Sequence, residues 1–200
     1  KKNLDGVLAE IDATMELAVQ AHLQKKAKIA EMMSGPGRPL WQIGKTACDG
    51  RPYVELDKAT YIIGLIGVND AVKFLMGKEM HEDKDAFAQA LRIVSHMYLR
   101  AKQFTKQYGL KFTLEESPAE SAARRLAKAD LIFFPAEARE VVKGANDDVA
   151  YYTNSIHLAA EAPVCLVERV EKQAMFHSVI ESGAITHAFI GEERPSATAI

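Results

Sequence analysis

The chain has 200 residues, of which 48% are hydrophobic and 26% are charged, fractions typical of a globular protein and unlike those of a disordered one. Its 25 lysine and arginine residues and 27 aspartate and glutamate residues give a formal net charge of −2, which argues against a nucleic-acid binding protein. No apolar run approaches the roughly 18 residues of a membrane-spanning helix, and the acidic, amphipathic residues 1–20 are unlike a signal peptide, so we expect no membrane association and a cytoplasmic location.

Hydrophobic periodicity predicts alternating helices and strands along the chain. Segments whose apolar residues recur every three or four positions are predicted as helices, and short continuous or alternating apolar runs are predicted as strands. In chain order these are a long helix over 4–33, a connection over 34–58, a strand over 61–68, a helix from Asn69 or Asp70 to Met76, a helix over 83–108 that ends at Gly109, a strand over 111–115, a helix over 118–129, a strand over 150–156, a helix over 163–179 and a strand over 184–190.

The order of these elements predicts the fold class. Strands separated by helices form βαβ units over 60–191, and right-handed crossovers make such a sheet largely parallel. The predicted fold class is therefore α/β, with the loop 143–148 at the surface. We expect residues 1–200 to be one segment of a longer protein, because the chain opens on Lys1 without a methionine and closes on Ile200 without a terminal tail.

Polar residues or glycines follow all four predicted strands. In parallel sheets functional residues gather at the carboxyl ends of the strands, so these stretches predict a site at one edge of the sheet. The alternative is that they are ordinary polar turns. The four stretches are Gly67–Asp70, Glu115–Pro118, Asn154–His157 and Gly191–Arg194.

The stretch Ser117–Glu120 has two interpretations. As a capping box, Ser117 is the N-cap, Pro118 is the first helical residue and Glu120 reaches back to the cap. Alternatively, the amides at this helix start, with the hydroxyls of Ser117 and Ser121, bind a substrate phosphate. Nearby glutamates oppose an anion, and Arg124 and Arg125 would offset them only if their side chains face the site.

Polar residues on both faces of the strand Tyr151–Ser155 predict either a lined cavity or a water-facing edge strand. His157 and His187 lie near strand ends, where a structural hydrogen bond is the simpler role and catalysis the alternative. Cys165 is interpreted as a small buried residue, with a reactive thiol at a helix start as the alternative. Together with Cys48 it is too little for a four-cysteine zinc site, and no histidine pair has metal-ligand spacing, so we expect no metal.

Four blocks of the sequence, in this order, resemble the anaerobic ribonucleoside-triphosphate reductases, which are oxygen-sensitive glycyl-radical enzymes. Any one block would be a weak signal, whereas four in order are specific. They are Ile63–Val72, Phe112–Ser121, Tyr151–His157 and Gly183–His187.

The resemblance implies the later part of a ten-stranded α/β barrel built from two five-stranded parallel halves. It implies reduction of ribonucleoside triphosphates to deoxyribonucleoside triphosphates by a glycyl and thiyl radical mechanism, with formate or a thiol system as reductant. The implied partners are a radical-SAM activase, the remainder of the same enzyme and a second copy of it in a homodimer. The full enzyme would use a glycyl radical, a structural zinc and ATP or dNTP effectors, and none of these would be bound by this segment.

The resemblance also implies the roles of individual residues. The substrate phosphate and ribose would bind at Glu116, Ser117, Pro118, Ala119, Glu120 and Ser121, with Asn154 and Ser155 lining the cavity. The radical cysteine would lie upstream, and the glycyl radical and zinc sites downstream. We therefore assign no catalytic residue in this segment, transfer neither role to Cys48 or Cys165, and expect the segment to be inactive alone.

Two other functions stay open at this point. Another glycyl-radical enzyme of the formate-lyase type would share the barrel. A noncatalytic α/β binding module would fit the long first helix and the lack of a self-contained catalytic set.

Overall fold

A computed structural model describes residues 3–188 and 196. Its helices and strands are α1 Leu4–Met33, α2 Trp41–Gly44, β1 Thr60–Gly64, α3 Val68–Met76, α4 Lys84–Tyr108, β2 Lys111–Glu115, α5 Glu120–Phe133, α6 Pro135–Ala138 and α7 Leu166–Ala174. Short 3₁₀ turns occupy Leu56–Lys58, Asp147–Val149 and His177–Val179.

Strands β1 and β2 pair in parallel, from Thr60 opposite Lys111 to Gly64 opposite Glu115. Helices α3 and α4 connect them, as expected of a crossover between parallel strands. The fold is thus mixed α/β with a small parallel sheet.

The hydrophobic core lies between this sheet and the two long helices. Val19 of α1, Val94 and Phe104 of α4 and Phe112 and Leu114 of β2 are almost completely buried. The amphipathic period of α1 and α4 places these apolar residues on one face of each helix, which explains why both are helical over the predicted lengths.

Local signals determine where several elements begin and end. Asp83 caps α4 through its carboxylate, which accepts hydrogen bonds from the amides of Asp85 (2.8 Å) and Ala86 (3.1 Å). Gly109 ends α4 in the left-handed conformation with φ 66°, as predicted from its position. Helix α3 ends at Met76 as predicted, but it begins one or two residues earlier than predicted, at Val68, so that Asn69 and Asp70 are buried in its first turn.

The predicted strand over 150–156 was also wrong. These residues form only isolated antiparallel bridges, Lys143 with Tyr151 and Ile66 with Asn154. The backbone of Thr153 is hydrogen-bonded to Gly67 and Asp70 instead of to a neighbouring strand, and Ser155 turns the chain with φ 42°.

The predicted strand over 184–190 is not formed by residues 184–188, and 189–190 lie outside the described residues. The amide of Ile185 donates to a side chain, the carboxylate of Glu116 (2.9 Å). The helix predicted over 163–179 is shorter, because α7 ends at Ala174 and is followed by a 3₁₀ turn. Across residues 3–188 and 196, no helix is both long and apolar enough to cross a membrane.

Candidate functional site

Three loops meet beyond the carboxyl ends of β1 and β2. They are the turn Gly67–Asp70, the stretch 116–120 that leads into α5, and the stretch 153–157. The predicted convergence of three polar stretches is therefore observed. The fourth, Gly191–Arg194, lies outside the described residues.

Glu116 lies just after β2 with its side chain fully buried. Its amide donates to Gly183 O (3.0 Å), and its Oε2 accepts from the amide of Ile185 (2.9 Å). Among the described residues its Oε1 has no hydrogen-bond donor, and His177 Nε2 lies 3.8 Å from it. Glu116 therefore holds the stretch 183–185 beside the site.

The loop that contains Ser117 packs closely against β1. Ser117 Oγ would lie only 2.7 Å from a Cβ atom at Gly64, so a larger residue there would require the Ser117 side chain to move. Ser117 is partly buried and Pro118 is exposed. Ser117 is not the N-cap of α5, so the capping-box prediction was wrong.

A residue distant in sequence holds the start of helix α5. The N-cap position is Ala119, which has no side-chain oxygen to offer. Asn154 binds on either side of it, because its Oδ1 accepts from the amide of Ala119 (3.1 Å) and its Nδ2 donates to Glu120 Oε1 (3.0 Å). Ser121 is exposed in the first turn.

The first amides of α5 are unused by the helix itself. The first helical hydrogen bond runs from Ala123 N to Ala119 O (2.8 Å), so the amides of residues 120–122 have no intrahelical acceptor. A helix start of this kind favours a negative charge.

The turn of Asn154 and Ser155 is held from several sides. Ser155 is completely buried, and its Oγ donates to Ser117 O (3.3 Å). Asp70 Oδ2 accepts from both the amide (2.6 Å) and the hydroxyl (2.7 Å) of Thr153. Burial raises the pKa of Asp70, an effect that these hydrogen bonds from Thr153 oppose.

A buried ionic cluster that no motif in the sequence indicates lies behind this turn. Glu79 accepts hydrogen bonds from Lys143, from Asn69 Nδ2 (2.9 Å) and from Lys73 Nζ (3.0 Å). Burial would raise the pKa of Glu79, but these hydrogen bonds outweigh it and lower the pKa to about 2. Lys143 Nζ also lies 3.9 Å from Asp70 Oδ1.

Lys143 shows why the cluster was missed. It was predicted in a surface loop, yet it is only 6% exposed, because its backbone pairs with Tyr151 in both directions. A buried lysine needs a carboxylate partner, and a mixed run of charges in the sequence does not reveal which carboxylate that is.

A cavity of about 340 Å³ opens beside the start of α5. Residues 151–154 of the predicted polar stretch line this cavity, as one of its two interpretations proposed, whereas Ser155 is fully buried and does not line it. Of the two arginines in α5, Arg124 lines the cavity and Arg125 does not. The lining residues are Glu120, Ala123, Arg124, Val149, Tyr151, Tyr152, Thr153, Asn154, His157, Leu158, Ala160, Arg169, Gln173 and His187.

Arginine and tyrosine side chains are prominent among the residues that line this cavity. Arg124 Nη2 donates to the carbonyl of Asp148 (3.2 Å) at its rim. The buried guanidinium of Arg169 donates to the carbonyls of residues 158–160, and burial lowers its pKa. Burial and a hydrogen bond to Asp130 (2.9 Å) raise the pKa of Tyr152 above its usual range.

His157 makes structural hydrogen bonds, as its simpler interpretation predicted. Its Nε2 lies 2.9 Å from Ile185 O and 3.3 Å from Glu116 Oε2. Because the backbone carbonyl can only accept, we assign the hydrogen to Nε2. The ring of His187 packs edge-on against His157, with the centroids 4.8 Å apart.

Both cysteines are exposed, so the expected burial of Cys165 was wrong. Cys165 lies at the N-cap of α7, where its sulfur accepts a hydrogen bond from the amide of Glu168 (3.5 Å). In the described part of the chain, no group of three or more His, Cys, Asp or Glu side chains is placed to hold a metal ion.

The family model and the related proteins that match this chain carry the same description. The family model described as "Anaerobic ribonucleoside-triphosphate reductase" matches residues 1–200. The reductase of that description from Escherichia coli strain K12 is 27% identical over 131 residues, which are 65% of this chain and 18% of the relative. The one from Haemophilus influenzae is 23% identical over 195 residues, which are 93% of this chain and 26% of the relative.

The fold is also similar to a solved structure, that of the Thermotoga maritima anaerobic ribonucleotide reductase in complex with dATP and CTP. The TM-score is 0.68 at 18% identity, covering 92% of this chain and 28% of that chain. The chain spans about a quarter or less of the curated relatives it matches. With its whole length matched by the family model, the chain belongs to the anaerobic ribonucleoside-triphosphate reductase family.

Proposed function

We propose that this chain is the substrate-binding part of an enzyme that reduces ribonucleoside triphosphates to deoxyribonucleoside triphosphates by a glycyl and thiyl radical mechanism. Family membership favours this function over a formate-lyase-type enzyme and over a noncatalytic module. The observation that carries the proposal is the cavity at the start of α5, where unused helix amides, Asn154 and Arg124 lie together.

The triphosphate would bind at the start of α5. The amides of residues 120–122 can donate to phosphate oxygens, and the helix dipole favours the anion. Ser117 and Ser121 flank this turn and would add hydroxyl donors. The carboxylate of Glu120 opposes an anion, but Asn154 Nδ2 already donates to it, and Arg124 supplies the compensating positive charge.

The ribose would lie beside Asn154, which lines the cavity, with Ser155 behind it. Ser155 is fully buried, and Glu116 and His157 lie behind the same turn. Such a hydrogen-bonded wall would orient a bound sugar and keep water out on that side, both of which a radical reaction requires. Pro118 and Ala119 would contribute through the conformation of their backbone, which leads into α5.

The described residues do not suit the radical or zinc chemistry of the whole enzyme. A thiyl radical needs shielding, whereas Cys48 and Cys165 are both exposed and line none of the cavities found. We therefore infer that the radical cysteine, glycyl radical and zinc belong to other parts of the enzyme, and that this chain alone is inactive.

The remaining expectations concern the whole enzyme. We propose that β1 and β2 belong to a ten-stranded α/β barrel that other parts of the enzyme complete. The enzyme would be a cytoplasmic homodimer with ATP or dNTP effectors, activated by a radical-SAM partner, with formate or a thiol system as reductant.

The test is nucleotide binding by the full-length enzyme that carries this chain, measured by calorimetry with CTP and with cytidine. In Arg124→Ala we expect CTP binding to weaken about 10- to 100-fold, as for the loss of a charge-assisted hydrogen bond worth roughly 1.5–3 kcal/mol. Cytidine binding should be unaffected, because it has no phosphate.

Arg125→Ala is the matched control. Arg125 is adjacent, exposed and of the same charge, but it does not line the cavity. Equal losses of CTP affinity in the two variants would mean that only the general field of the helix matters. An unchanged affinity in Arg124→Ala would refute the phosphate site.

A further inference from the structure

Asp70 makes an unusual contact for a buried carboxylate. It is 3% exposed, and one oxygen, Oδ2, accepts both the amide and the hydroxyl of Thr153. The two residues are 83 positions apart in the chain. A single acceptor thus fixes both the backbone and the side chain of Thr153.

Two neighbours of Asp70 complete the attachment of the same turn. The amide of Gly67 donates to Thr153 O (2.9 Å), and the amide of Val68 donates to Ser155 O (3.2 Å). The start of α3 therefore holds residues 153–155 on both the donor and the acceptor side. Ser155 keeps a φ of 42°, a strained value for a residue with a side chain, which persists only where the surroundings impose it.

The turn 153–155 also contains Asn154. Its side chain reaches the amide of Ala119 and the carboxylate of Glu120 at the start of α5. A displaced Thr153 would move Asn154 away from both contacts. A continuous chain of hydrogen bonds therefore links Asp70 to the proposed phosphate site without Asp70 touching the cavity side of α5.

We propose that Asp70 is a positioning residue of the nucleotide site, and that it acts by fixing Thr153 so that Asn154 stays at the start of α5. This inference rests on the proposed function for its effect on binding. Its structural part, the attachment of the turn 153–155, stands independently.

The residues around Asp70 suit this role. Lys143 Nζ lies 3.9 Å from Oδ1 and counters part of the carboxylate charge, while Glu79 binds the same lysine. The two carboxylate oxygens of Asp70 therefore have different neighbours. Oδ1 faces the lysine of the ionic cluster, and Oδ2 accepts the hydrogen bonds from Thr153.

The experiment compares variants of the full-length enzyme that carries this chain. Asp70→Ala removes the acceptor, whereas Asp70→Asn keeps one oxygen that can accept from Thr153. The matched control is Asn69→Ala: Asn69 is adjacent and fully buried, and it bonds Glu79 and Met80 but none of residues 153–155. All variants are examined by thermal unfolding, amide hydrogen exchange of Thr153 and Asn154, and calorimetry with CTP.

We expect Asp70→Ala and Asn69→Ala to lower the melting temperature similarly, because each loses two buried hydrogen bonds. Only Asp70→Ala should raise the exchange rate of the Thr153 amide, by about tenfold or more, and weaken CTP binding by about tenfold. Asp70→Asn should recover CTP affinity to within about threefold of the wild type.

Equal losses of CTP affinity in Asp70→Ala and Asn69→Ala would overturn the proposal, because the effect would then follow stability alone. Unchanged exchange of Thr153 in Asp70→Ala would overturn it as well. If Asp70→Ala does not fold, Thr153→Val and Thr153→Ser replace it: the valine removes the hydroxyl donor and should weaken CTP binding, and the serine should not.

Failure of the wild-type enzyme to bind CTP would refute the proposed function. The exchange rates of Thr153 and Asn154 would still decide whether Asp70 attaches the turn. The two failures are therefore distinguishable.

Discussion

The buried cluster around Glu79 allows a quantitative prediction of stability against pH. Glu79 has its pKa lowered from 4.5 to about 2, and each pKa unit is worth about 1.4 kcal/mol. For a carboxyl whose pKa falls on folding, the stabilisation is present above the unfolded pKa and is lost as the pH falls through the folded one. Ionised Glu79 should therefore contribute about 3 kcal/mol at pH 7 and about 1.4 kcal/mol at pH 3.

The perturbation is Glu79→Gln, which keeps the shape of the side chain and removes its charge. Lys143 then stays buried with only Asp70, 3.9 Å away, as a counter-charge. We expect the free energy of unfolding in urea to fall by about 3 kcal/mol at pH 7, consistent with the cost of breaking a buried ion pair. The difference between wild type and variant should shrink steadily between pH 4.5 and pH 2.

The control is Glu31→Gln. Glu31 also pairs with a lysine, Lys28 at 2.8 Å, but the pair is exposed on α1, so the free energy of unfolding should hardly change. A loss below about 1 kcal/mol for Glu79→Gln at pH 7, or a loss independent of pH, would refute the reasoning.

Two further predictions concern the loops of the site. Gly64→Ala would place a Cβ atom 2.7 Å from Ser117 Oγ and should lower the free energy of unfolding by about 1–3 kcal/mol, whereas Gly35→Ala, with nothing within 4 Å, should not. Asn154→Ala leaves the amide of Ala119 without its acceptor and should lower the free energy of unfolding in urea by about 1 kcal/mol, as for a lost hydrogen bond. No loss in Asn154→Ala would mean that water replaces the asparagine oxygen at no cost.

The elements predicted well from sequence are those that local signals determine. The 3.6-residue period and its capping residues locate α1 and α4 to within a residue at each end, and β2 is formed over the predicted 111–115. In each case the interactions that decide the element lie within a few positions of one another. The four blocks that resemble the reductase family also indicated the correct family.

The predictions that were wrong depend on contacts between distant parts of the chain. Residues 150–156 have the composition of a strand, but Asp70 binds the amide that a strand partner would need. Ser117 has the position of a helix cap, yet α5 begins after Ala119, whose amide is bound by Asn154 from 35 positions away. Lys143 pairs with a carboxylate 64 positions earlier. No local pattern encodes these pairings.

These contacts explain how the site is held with only two strands formed among residues 3–188 and 196. In a larger parallel sheet, strand pairing would align the loops at the carboxyl edge. Here the loop after β1 instead binds the turn 153–155 through buried polar groups, and that turn binds the start of α5. A buried polar group that loses its partner costs more than its hydrogen bond contributes. Hydrogen bonds between the three loops therefore specify one arrangement more sharply than apolar packing would. For the same reason, we expect the site to be most sensitive to substitutions of Asp70, Thr153 and Asn154.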